Sequence, residues 1–441
     1  MTALDRRFDL TGQGTNIRTE VLAGVTTFLA MSYIVFVQPA VLGAAGMDGG
    51  AVLVATCLAT AFATTLMALM ANYPIAVAPA MGHNFFFAYT VVLAMKVPWP
   101  VALGGVAIAG TLFVLTAGIG LREHLIAAIP ESLKHAIAAG IGLLIATVGL
   151  EWGGIIVGAP GTLVTLGNLH SGPVLLTLAG LALTAVLLVR RVPGALLWGV
   201  LGTTAIALPA GLATYRGVFA APPSLAPTLL KLDILGAFAP GMASVVFVFF
   251  FLALFDSVGT LVGIGSQAGL IKNGTLPRAR QALLADALGT VAGAMLGTST
   301  VTAYIESGTG VAAGGRTGLS ALVTAALFLV SLFAHPLVRM VGGGIVVGDT
   351  TLYPIIAAPL ILVGTLMMGG LRRVDWGDPT EAVPAFLTLV MTPLAFSITE
   401  GVAFGVVFYV LLKVAAGRRR QVHGLLYVCA ALFLGRYAFF R

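Results

Sequence analysis

The chain has 441 residues, of which 59% are hydrophobic and only 9% are charged, whereas a typical soluble domain carries about 25% charged residues. Its mean hydropathy is +1.05 and its formal net charge is +7. This composition excludes a soluble globule, because too few charges are available to coat a surface that faces water. It predicts an all-α polytopic membrane protein.

The termini and the cysteines narrow the class further. Arg6, Arg7 and a polar stretch up to Glu20 precede the first apolar run, which is long enough to remain as a span, so no cleavable signal is expected. Cys57 and Cys429 lie in apolar runs and predict buried thiols, with no disulfide framework, metal site or cofactor. The positive net charge follows from membrane topology, as shown below, and does not indicate a nucleic-acid partner.

Apolar runs in chain order predict fourteen transmembrane segments, because a bilayer span needs roughly 20 apolar residues. Two of the fourteen are half-length. The predicted segments are about 20–41, 51–71, 84–95 (half-length), 99–120, 135–150, 173–189, 193–212, 241–267, 282–297, 304–314 (half-length), 317–334, 354–371, 382–397 and 400–416. A last apolar run, 424–440, is interrupted by Arg436 and is expected to lie at the membrane interface.

The distribution of basic residues supports this count. With the N-terminus inside, 17 of the 23 Lys and Arg residues fall at inner positions, as the positive-inside rule requires. The four at outer positions are Lys96, Arg216, Lys231 and Arg339, and the C-terminal tail holds the other two, Arg436 and Arg441. Dropping either half-length segment would invert every later loop. We therefore expect a cell-membrane protein with both termini in the cytoplasm.

A short polar stretch, 297–308, interrupts the apolar sequence and reads GTSTVTAYIESG. Residues Thr298–Thr302 favour an extended conformation because Thr and Val have high strand propensity, and a helix is expected from Tyr304 onward. Extended backbone at membrane depth finds no partner in lipid, so it must be covered by protein or line a cavity. A broken helix that carries a glutamate is typical of a transporter's substrate site.

A weak internal repeat relates the two halves. The stretch 74–82, PIAVAPAMG, precedes the half-length third segment as 297–302 precedes the tenth. Each is therefore the third segment of a set of seven, and since seven is odd the second set enters the membrane from the opposite side. The predicted architecture is a 7+7 inverted repeat whose two broken helices meet near the midplane, with residues 213–240 linking the halves.

Two acids, Asp256 and Glu306, are predicted to be the only ones deep inside apolar spans. A charge at the bilayer centre costs at least about 2.5–3.5 kcal/mol, so a substrate or coupling-ion role is favoured over capping of broken backbone. No Lys or Arg lies in either span. Desolvation and mutual repulsion favour the protonated forms, which provides a basis for proton coupling. Asp286 is expected to be a solvated or capping acid.

Neighbouring residues offer further candidate contacts. The Asn84 amide carries donors and an acceptor, which suits a flat ligand with mixed edges, although a plain N-cap role is the alternative. Thr260 follows Asp256 by one helical turn and faces the same side. Phe85 and Tyr304 could stack on a planar ring or simply pack.

Several of these motifs resemble the AzgA-like branch of the nucleobase–cation symporter superfamily, the purine permeases. The matching stretches are 84–92 (NFFFAYTVV), 255–261 (FDSVGTL), 297–307, 314–319 (GGRTGL) and 375–386. The resemblance implies segments 1–4 and 8–11 as a core domain and segments 5–7 and 12–14 as a gate domain. It also implies a homodimer and an elevator movement of the core against the gate.

The resemblance assigns boundaries and roles in this chain. The core would be 18–121 and 236–334, the gate 131–212 and 345–416, and 417–441 a basic and apolar tail. Asp256 and Glu306 would bind ring N–H or exocyclic amino groups and couple to protons rather than sodium. Asn84 would be the third polar contact, with Thr260, Tyr304 and the backbone near Phe85 and Ile305 close by. The substrates would be adenine, guanine or hypoxanthine.

Two positions depart from the family pattern. Ala253 stands where a second Asp is usual, one turn before Asp256, and residues 82–85 read GHNF where the family usually reads GLNA before the phenylalanine of segment three. The missing acid removes one ligand or proton carrier, and the added bulk narrows the cavity. Alternatives to purine import are an anion transporter of the same fold, of the sulfate or bicarbonate kind, and a xanthine or uracil permease. The spans hold no residue set that indicates an enzyme.

Overall fold

The computed structural model describes residues 3–119, 130–239, 241–271, 276–348 and 350–439, and this part of the chain is mostly helical. Its α-helices are Ala3–Phe8 (α1), Ile17–Met31 (α2), Ile34–Ala44 (α3), Gly49–Leu66 (α4), Met81–Phe85 (α5), Trp99–Ile119 (α6), Glu131–Trp152 (α7), Gly172–Val189 (α8), Ala195–Ala207 (α9), Met242–Gln267 (α10), Ala279–Leu296 (α11), Ser307–Ala312 (α12), Gly318–Ser331 (α13), His335–Val341 (α14), Pro354–Met367 (α15), Pro379–Leu394 (α16), Ile398–Ala415 (α17) and Gly424–Phe439 (α18). The predicted end of the fourth segment at residue 120, the core boundary at residue 121, and Arg441 lie outside the described residues.

Short strands and tighter or wider helical turns complete the fold. The strands are Val77–Pro79 (β1), Ile156–Ala159 (β2), Leu163–Leu166 (β3), Val301–Ala303 (β4), Ile345–Val347 (β5) and Thr350–Leu352 (β6). Wide π-helical turns extend α4 over Met67–Ala71 and α5 over Phe86–Ala94. Strands β2 and β3 form one antiparallel hairpin and β5 and β6 another, neither of which the sequence predicted.

Each of the fourteen predicted segments coincides with a helix. Among the described residues, nine helical runs are long and apolar enough to cross a membrane, and three shorter apolar helices accompany them: Met81–Ala94, Ala195–Ala207 and Gly424–Gly435. The prediction of a polytopic helical membrane protein is therefore confirmed, while the exact count of fourteen spans stays a prediction.

Polar side chains cap the N-termini of several helices. Asn16 Oδ1 accepts a hydrogen bond from the Thr19 amide at 3.0 Å before α2, and Asp48 Oδ1 accepts one from the Ala51 amide at 2.7 Å before α4. Such caps satisfy amides that have no partner inside the helix. The first half-helix differs from expectation, because Ala80 rather than Asn84 occupies the N-cap position and the helix begins at Met81.

Strands β1 and β4 pair antiparallel at the centre of the molecule, with Val77 opposite Ala303 and Pro79 opposite Val301. Two further backbone bonds extend the pairing symmetrically: the Ala80 amide donates to the Thr300 carbonyl, and the Tyr304 amide to the Ala76 carbonyl, both at 2.9 Å. Every residue of both strands is buried. The expectation of two extended, protein-covered stretches before the half-helices is met.

On the outer edge of each strand, a threonine side chain from the preceding helix forms hydrogen bonds with the backbone of one residue. Thr64 on α4 accepts a hydrogen bond from the Val77 amide at 2.9 Å and donates to the Val77 carbonyl at 3.0 Å. Thr290 on α11 does the same for Val301, at 3.2 Å and 2.8 Å. The two half-helix entries are thus built alike and related by a local twofold axis.

The helices pack in two sets. Helix α2 packs on α13, α4 on α11 and α13, and α6 on α11, whereas α7 packs on α15 and α16, and α16 on α17. Small residues allow the close approach within the second set. A Cβ added at Gly364 would lie 2.3 Å from the Gly142 carbonyl oxygen, so α7 and α15 are in backbone contact, as is common for helices in membranes.

The C-terminal helix α18 packs against α17, while its interfacial position stays a prediction. It follows α17 after a short turn and packs along it, with Leu426 and Phe433 buried. Near its end, the Tyr437 ring lies 6.2 Å from that of Phe404, and the Tyr437 hydroxyl is hydrogen-bonded to Glu400 in the first turn of α17. Helix α18 therefore returns along the length of α17, because its apolar face finds partners there.

Candidate functional site

Asp256 lies midway along α10, with an exposed side chain. The Thr302 hydroxyl of β4 donates to its Oδ2 at 2.9 Å. A carboxyl exposed to lipid at membrane depth would be unstable, so we expect this surface of α10 to face water rather than lipid. The polar residue that orients Asp256 comes from the interrupted stretch identified in the sequence.

Glu306 stands between β4 and α12, and its side chain is half-buried. The Tyr33 hydroxyl donates to Glu306 Oε1 at 2.8 Å. Tyr33 is buried at the point where the first segment breaks into α2 and α3. The sequence did not predict this break, although the adjacent polar pair Ser32 and Tyr33 inside an apolar run indicates it.

The structure brings the two predicted acids together. Asp256 and Glu306 lie close enough for their charges to interact, and both are held by hydroxyl donors. Ile305, which follows β4 and precedes Glu306, is 71% exposed. A ligand bound here would meet the two carboxyl groups and the exposed residue Ile305.

Asn84 is placed differently from the two acids. It is fully buried, and its amide exchanges hydrogen bonds with the Gln38 amide of α3 and accepts one from the Ser299 hydroxyl. Gln38 also donates to the Thr298 hydroxyl at 2.9 Å. These bonds tie α5 to the start of the second break, while a direct ligand contact by Asn84 stays a prediction. His83 beside it is buried as well.

The remaining candidates are also covered by protein. Phe85 is fully buried and stacks on Tyr89 with ring centroids 5.6 Å apart. Tyr304 is buried, and its hydroxyl donates to the Pro79 carbonyl at 2.6 Å. Thr260 is buried on α10. These side chains support the walls of the region around Asp256 and Glu306, and their predicted ligand contacts stay predictions.

Two further acids are buried in the protein. Glu20 lies near the start of its span, as expected, whereas Asp286 lies inside α11, so Asp256 and Glu306 are not the only acids inside apolar helices. Glu20 is fully buried on α2. Its Oε1 accepts the Arg316 amide at 2.8 Å, and its Oε2 accepts the Thr317 and Ser320 amides at 3.3 and 3.2 Å. The carboxylate therefore caps the start of α13, where free amides and the helix dipole favour negative charge.

Asp286 is the second of these buried acids. It is fully buried on α11, and its Oδ2 accepts the Ala303 amide at 3.3 Å. The prediction of a solvated or capping acid fails because α11 packs its middle, rather than its end, against β4. The apolar run predicted a helix start at residue 282, which would place Asp286 near the start of the helix. The helix begins earlier, at Ala279, so Asp286 lies in its interior.

The chemistry of the site follows from its donors and acceptors. Carboxylates accept hydrogen bonds and free amides at half-helix starts donate them, so the region suits an uncharged or cationic polar ligand that carries N–H groups. Within the described residues no group of three or more His, Cys, Asp or Glu could hold a metal ion. Interrupted helices that meet at a polar site at membrane depth define a membrane permease.

The comparisons with known proteins agree with this class. A family model described as "Permease family" (Xan_ur_permease) matches residues 18–404. The chain belongs to this family. The resemblance to the purine permease branch is confirmed by relatives that align over almost the whole chain.

Three relatives illustrate the similarity. A putative permease from Methanocaldococcus jannaschii is 48% identical over 441 residues, covering 100% of this chain and 99% of that protein. The adenine permease AdeP of Escherichia coli is 46% identical over 437 residues, covering 99% and 96%. The guanine/hypoxanthine permease PbuG of Bacillus subtilis is 44% identical over 440 residues, covering 97% and 98%.

Solved structures share the fold at low sequence identity. The transmembrane domain of the cyanobacterial bicarbonate transporter BicA superimposes with a TM-score of 0.65 at 18% identity, covering 87% of this chain and 97% of that one. The murine anion transporter Slc26a9, in its inward-facing state, gives 0.62 at 14% identity, covering 91% and 69%. These similarities establish the architecture only.

Proposed function

We infer that this protein imports purine nucleobases, namely adenine, guanine or hypoxanthine, across the cell membrane by proton symport. The observation that carries the proposal is the pair of neighbouring carboxyl groups, Asp256 and Glu306, at the meeting point of the two breaks. The relatives named as adenine and guanine/hypoxanthine permeases support the choice of substrate.

In this proposal the two acids accept N–H groups of the purine. Thr302 donates to one oxygen of Asp256 and Tyr33 to one oxygen of Glu306, and the second oxygen of each carboxyl would accept a ring N–H or an exocyclic amino group. The exposed residue Ile305 would pack against the purine ring. Asn84, Phe85, Thr260 and Tyr304 would complete or support the pocket.

The proposal includes the movement as well. The α2, α4, α6, α11 and α13 set would be the core, and the α7, α15, α16 and α17 set the gate, in a 7+7 inverted repeat. The matching threonine bonds at Val77 and Val301 support that symmetry. Asp256 and Glu306 would exchange the proton, the core would move as an elevator in a homodimer, and the N-terminus would be cytoplasmic.

An anion transporter is the second candidate, because the solved structures of similar fold transport bicarbonate or other anions. The two acids argue against it. A charge 4 Å from another of the same sign is repelled by about 4 kcal/mol at an effective dielectric constant of 20, so an anion would be strongly disfavoured. Xanthine differs from the three proposed purines only in its ring substituents, whereas uracil is a single-ring pyrimidine, and experiment separates a xanthine or uracil permease from an importer of adenine, guanine or hypoxanthine.

A competition panel tests the function. Cells that lack purine uptake would express the protein and be given labelled adenine, guanine, hypoxanthine, xanthine or uracil in separate assays, each with excess unlabelled adenine, guanine, hypoxanthine, xanthine, uracil or sulfate. We expect inhibition by at least one of the three named purines, none by sulfate, and loss of accumulation with a protonophore. Uptake blocked only by xanthine or uracil, or by sulfate, would refute the substrate assignment, and a strict sodium requirement would refute proton coupling.

A further inference from the structure

Asp286 is buried on α11, beside β4. Its side chain is 0% exposed. Oδ2 accepts the Ala303 amide at 3.3 Å, whereas Oδ1 has no hydrogen-bond partner within the described part of the chain. Buried polar atoms are nearly always paired, so an unpaired carboxyl oxygen in this position needs an explanation.

Among the described residues, no Lys or Arg lies on the elements that pack most extensively against α11, the helix of Asp286. These elements are α4 with its π-helical extension, α6, α10, β1 and β4. Asp256 on α10 is the one charged residue in these elements, and its charge acts on Asp286. A buried carboxyl without a counter-ion is stable when it carries a proton, since an isolated buried charge is far more costly than a neutral group.

Ser257 provides the matching acceptor for that proton. It follows Asp256 on α10 but points inward, is fully buried, and lies beside the Asp286 carboxyl. Its hydroxyl is close to the Asp286 carboxyl but forms no hydrogen bond of good geometry among the described residues. A proton on Asp286 Oδ1 that is donated to the Ser257 hydroxyl would pair both unsatisfied atoms at once.

We propose that Asp286 is a third proton site, which holds the coupling proton while Asp256 and Glu306 bind the purine. The proposal rests on the proposed function. A proton that reaches the exposed Asp256 from solution passes by way of the Ser257 hydroxyl, which gives up its own proton to Asp286 Oδ1 as it takes one. Asp256 is thereby ionised again and free to accept a purine N–H. On the opposite face the same exchange runs backward and releases the proton.

Coupling follows from the repulsion between the two acids. When Asp286 is protonated it is neutral and does not repel the ionised Asp256, which then accepts the purine N–H strongly. When Asp286 loses its proton, the two carboxylates repel one another, and ligand binding weakens. Each site thus changes the affinity of the other by the same factor, as linkage requires.

Purified protein in proteoliposomes tests this assignment with labelled adenine and labelled hypoxanthine as probes. For Asp286→Asn, which keeps the shape but holds no exchangeable carboxyl proton, we expect counterflow against unlabelled nucleobase close to that of the wild type. Accumulation driven by an imposed inward proton gradient should fall to the equilibrium level. Wild-type accumulation in this variant would overturn the proposal.

A second variant keeps the test decisive if Asp286→Asn does not fold or loses counterflow. Ser257→Ala removes the hydroxyl that relays the proton, and we expect gradient-driven accumulation to slow by about tenfold with counterflow unchanged. Unchanged gradient-driven accumulation would refute the relay and the site. Thr56→Val is the matched control, because Thr56 on α4 is also fully buried with an unpaired hydroxyl. Absence of counterflow in the wild type would instead refute the proposed function itself.

Discussion

Tyr33 and Glu306 lie 273 residues apart in the chain, yet the Tyr33 hydroxyl donates to Glu306 Oε1 at 2.8 Å. Tyr33 belongs to the first segment and Glu306 to the second break, so this bond joins the two halves at the candidate site. Because Tyr33 is buried, its hydroxyl has little competition from water. The bond fixes the direction in which Glu306 presents its other oxygen.

The first prediction concerns Tyr33→Phe. A hydrogen bond to a charged group is worth about 1.5–3 kcal/mol, and about 1.4 kcal/mol corresponds to a tenfold change in affinity. We therefore expect the half-saturation concentration for purine uptake to rise about tenfold or more, with a smaller change in maximal rate. Transport assays over a range of adenine concentrations measure both quantities.

Tyr73→Phe is the control for this prediction. Tyr73 is fully buried, and its hydroxyl has no hydrogen-bond partner within the described residues. Removal of that hydroxyl should leave the half-saturation concentration unchanged. Equal effects of the two substitutions would mean that Tyr33 acts through general packing and not through Glu306.

The second prediction concerns the two acids. Asp256→Asn and Glu306→Gln each replace a carboxyl oxygen with an amide NH₂ group, which donates where the purine N–H requires an acceptor. We expect each variant to lose purine accumulation while it elutes as a folded protein in detergent. Glu151→Gln, which neutralises an exposed acid at the end of α7, should retain uptake. Retained uptake in either site variant would contradict the assigned roles.

Local patterns explain why much of the fold could be predicted. Apolar runs located the helices because lipid selects apolar length directly. The Thr-rich stretch 298–302 was recognised as extended, since β-branched residues favour that conformation and a helix would have continued through an apolar sequence. Asp256 and Glu306 stood out because isolated acids are costly inside apolar spans.

The contacts that organise the site could not be predicted, because they join residues far apart in the chain. Tyr33 meets Glu306, Gln38 meets Asn84, and Glu20 meets the start of α13. Each residue alone looks like an ordinary member of its own helix. Asp286 was misjudged for a related reason: an acid near a helix start resembles a cap until the neighbouring strand is placed.

The third prediction concerns the loop before α16. Asp378 Oδ1 accepts the Thr380 amide at 2.9 Å, and its Oδ2 accepts Arg418 Nη1 at 2.5 Å. The bonds from Thr380, together with Arg418, lower the pKa of Asp378 from 3.8 to about 2. A lowered pKa stabilises the folded state above pH 3.8, and this contribution is lost as the pH falls toward 2.

Asp378→Asn should therefore lower the Tm at pH 7, and the difference from the wild type should shrink between pH 4 and pH 2. Thermal unfolding in detergent across this range measures the effect. Asp375→Asn, in the same loop, serves as the control. A difference in Tm that is constant with pH would show that Asp378 contributes through shape and not through its charge.

The fourth prediction concerns the C-terminal helix. Since Tyr437 at the end of α18 meets Glu400 at the start of α17, α18 must cross the membrane if α17 does. Its 16 residues span about 24 Å at 1.5 Å per residue, close to the hydrocarbon thickness of about 30 Å. The end of α18 should then lie on the outer face, in contrast to the cytoplasmic C-terminus expected from the sequence.

Cysteine accessibility distinguishes the two topologies. In a background without Cys57 and Cys429, we expect Ala438→Cys at the end of α18 to react with a membrane-impermeant maleimide in intact cells. Ala416→Cys, just after α17, should react only after the cells are permeabilised. If both positions required permeabilisation, α18 would lie on the cytoplasmic side and its contact with Glu400 would not exist in the membrane. If only Ala438→Cys reacted from outside, α18 would be one membrane span more than the fourteen predicted from the apolar runs. Packing against α17 would then supply the apolar contacts that its own sequence lacks.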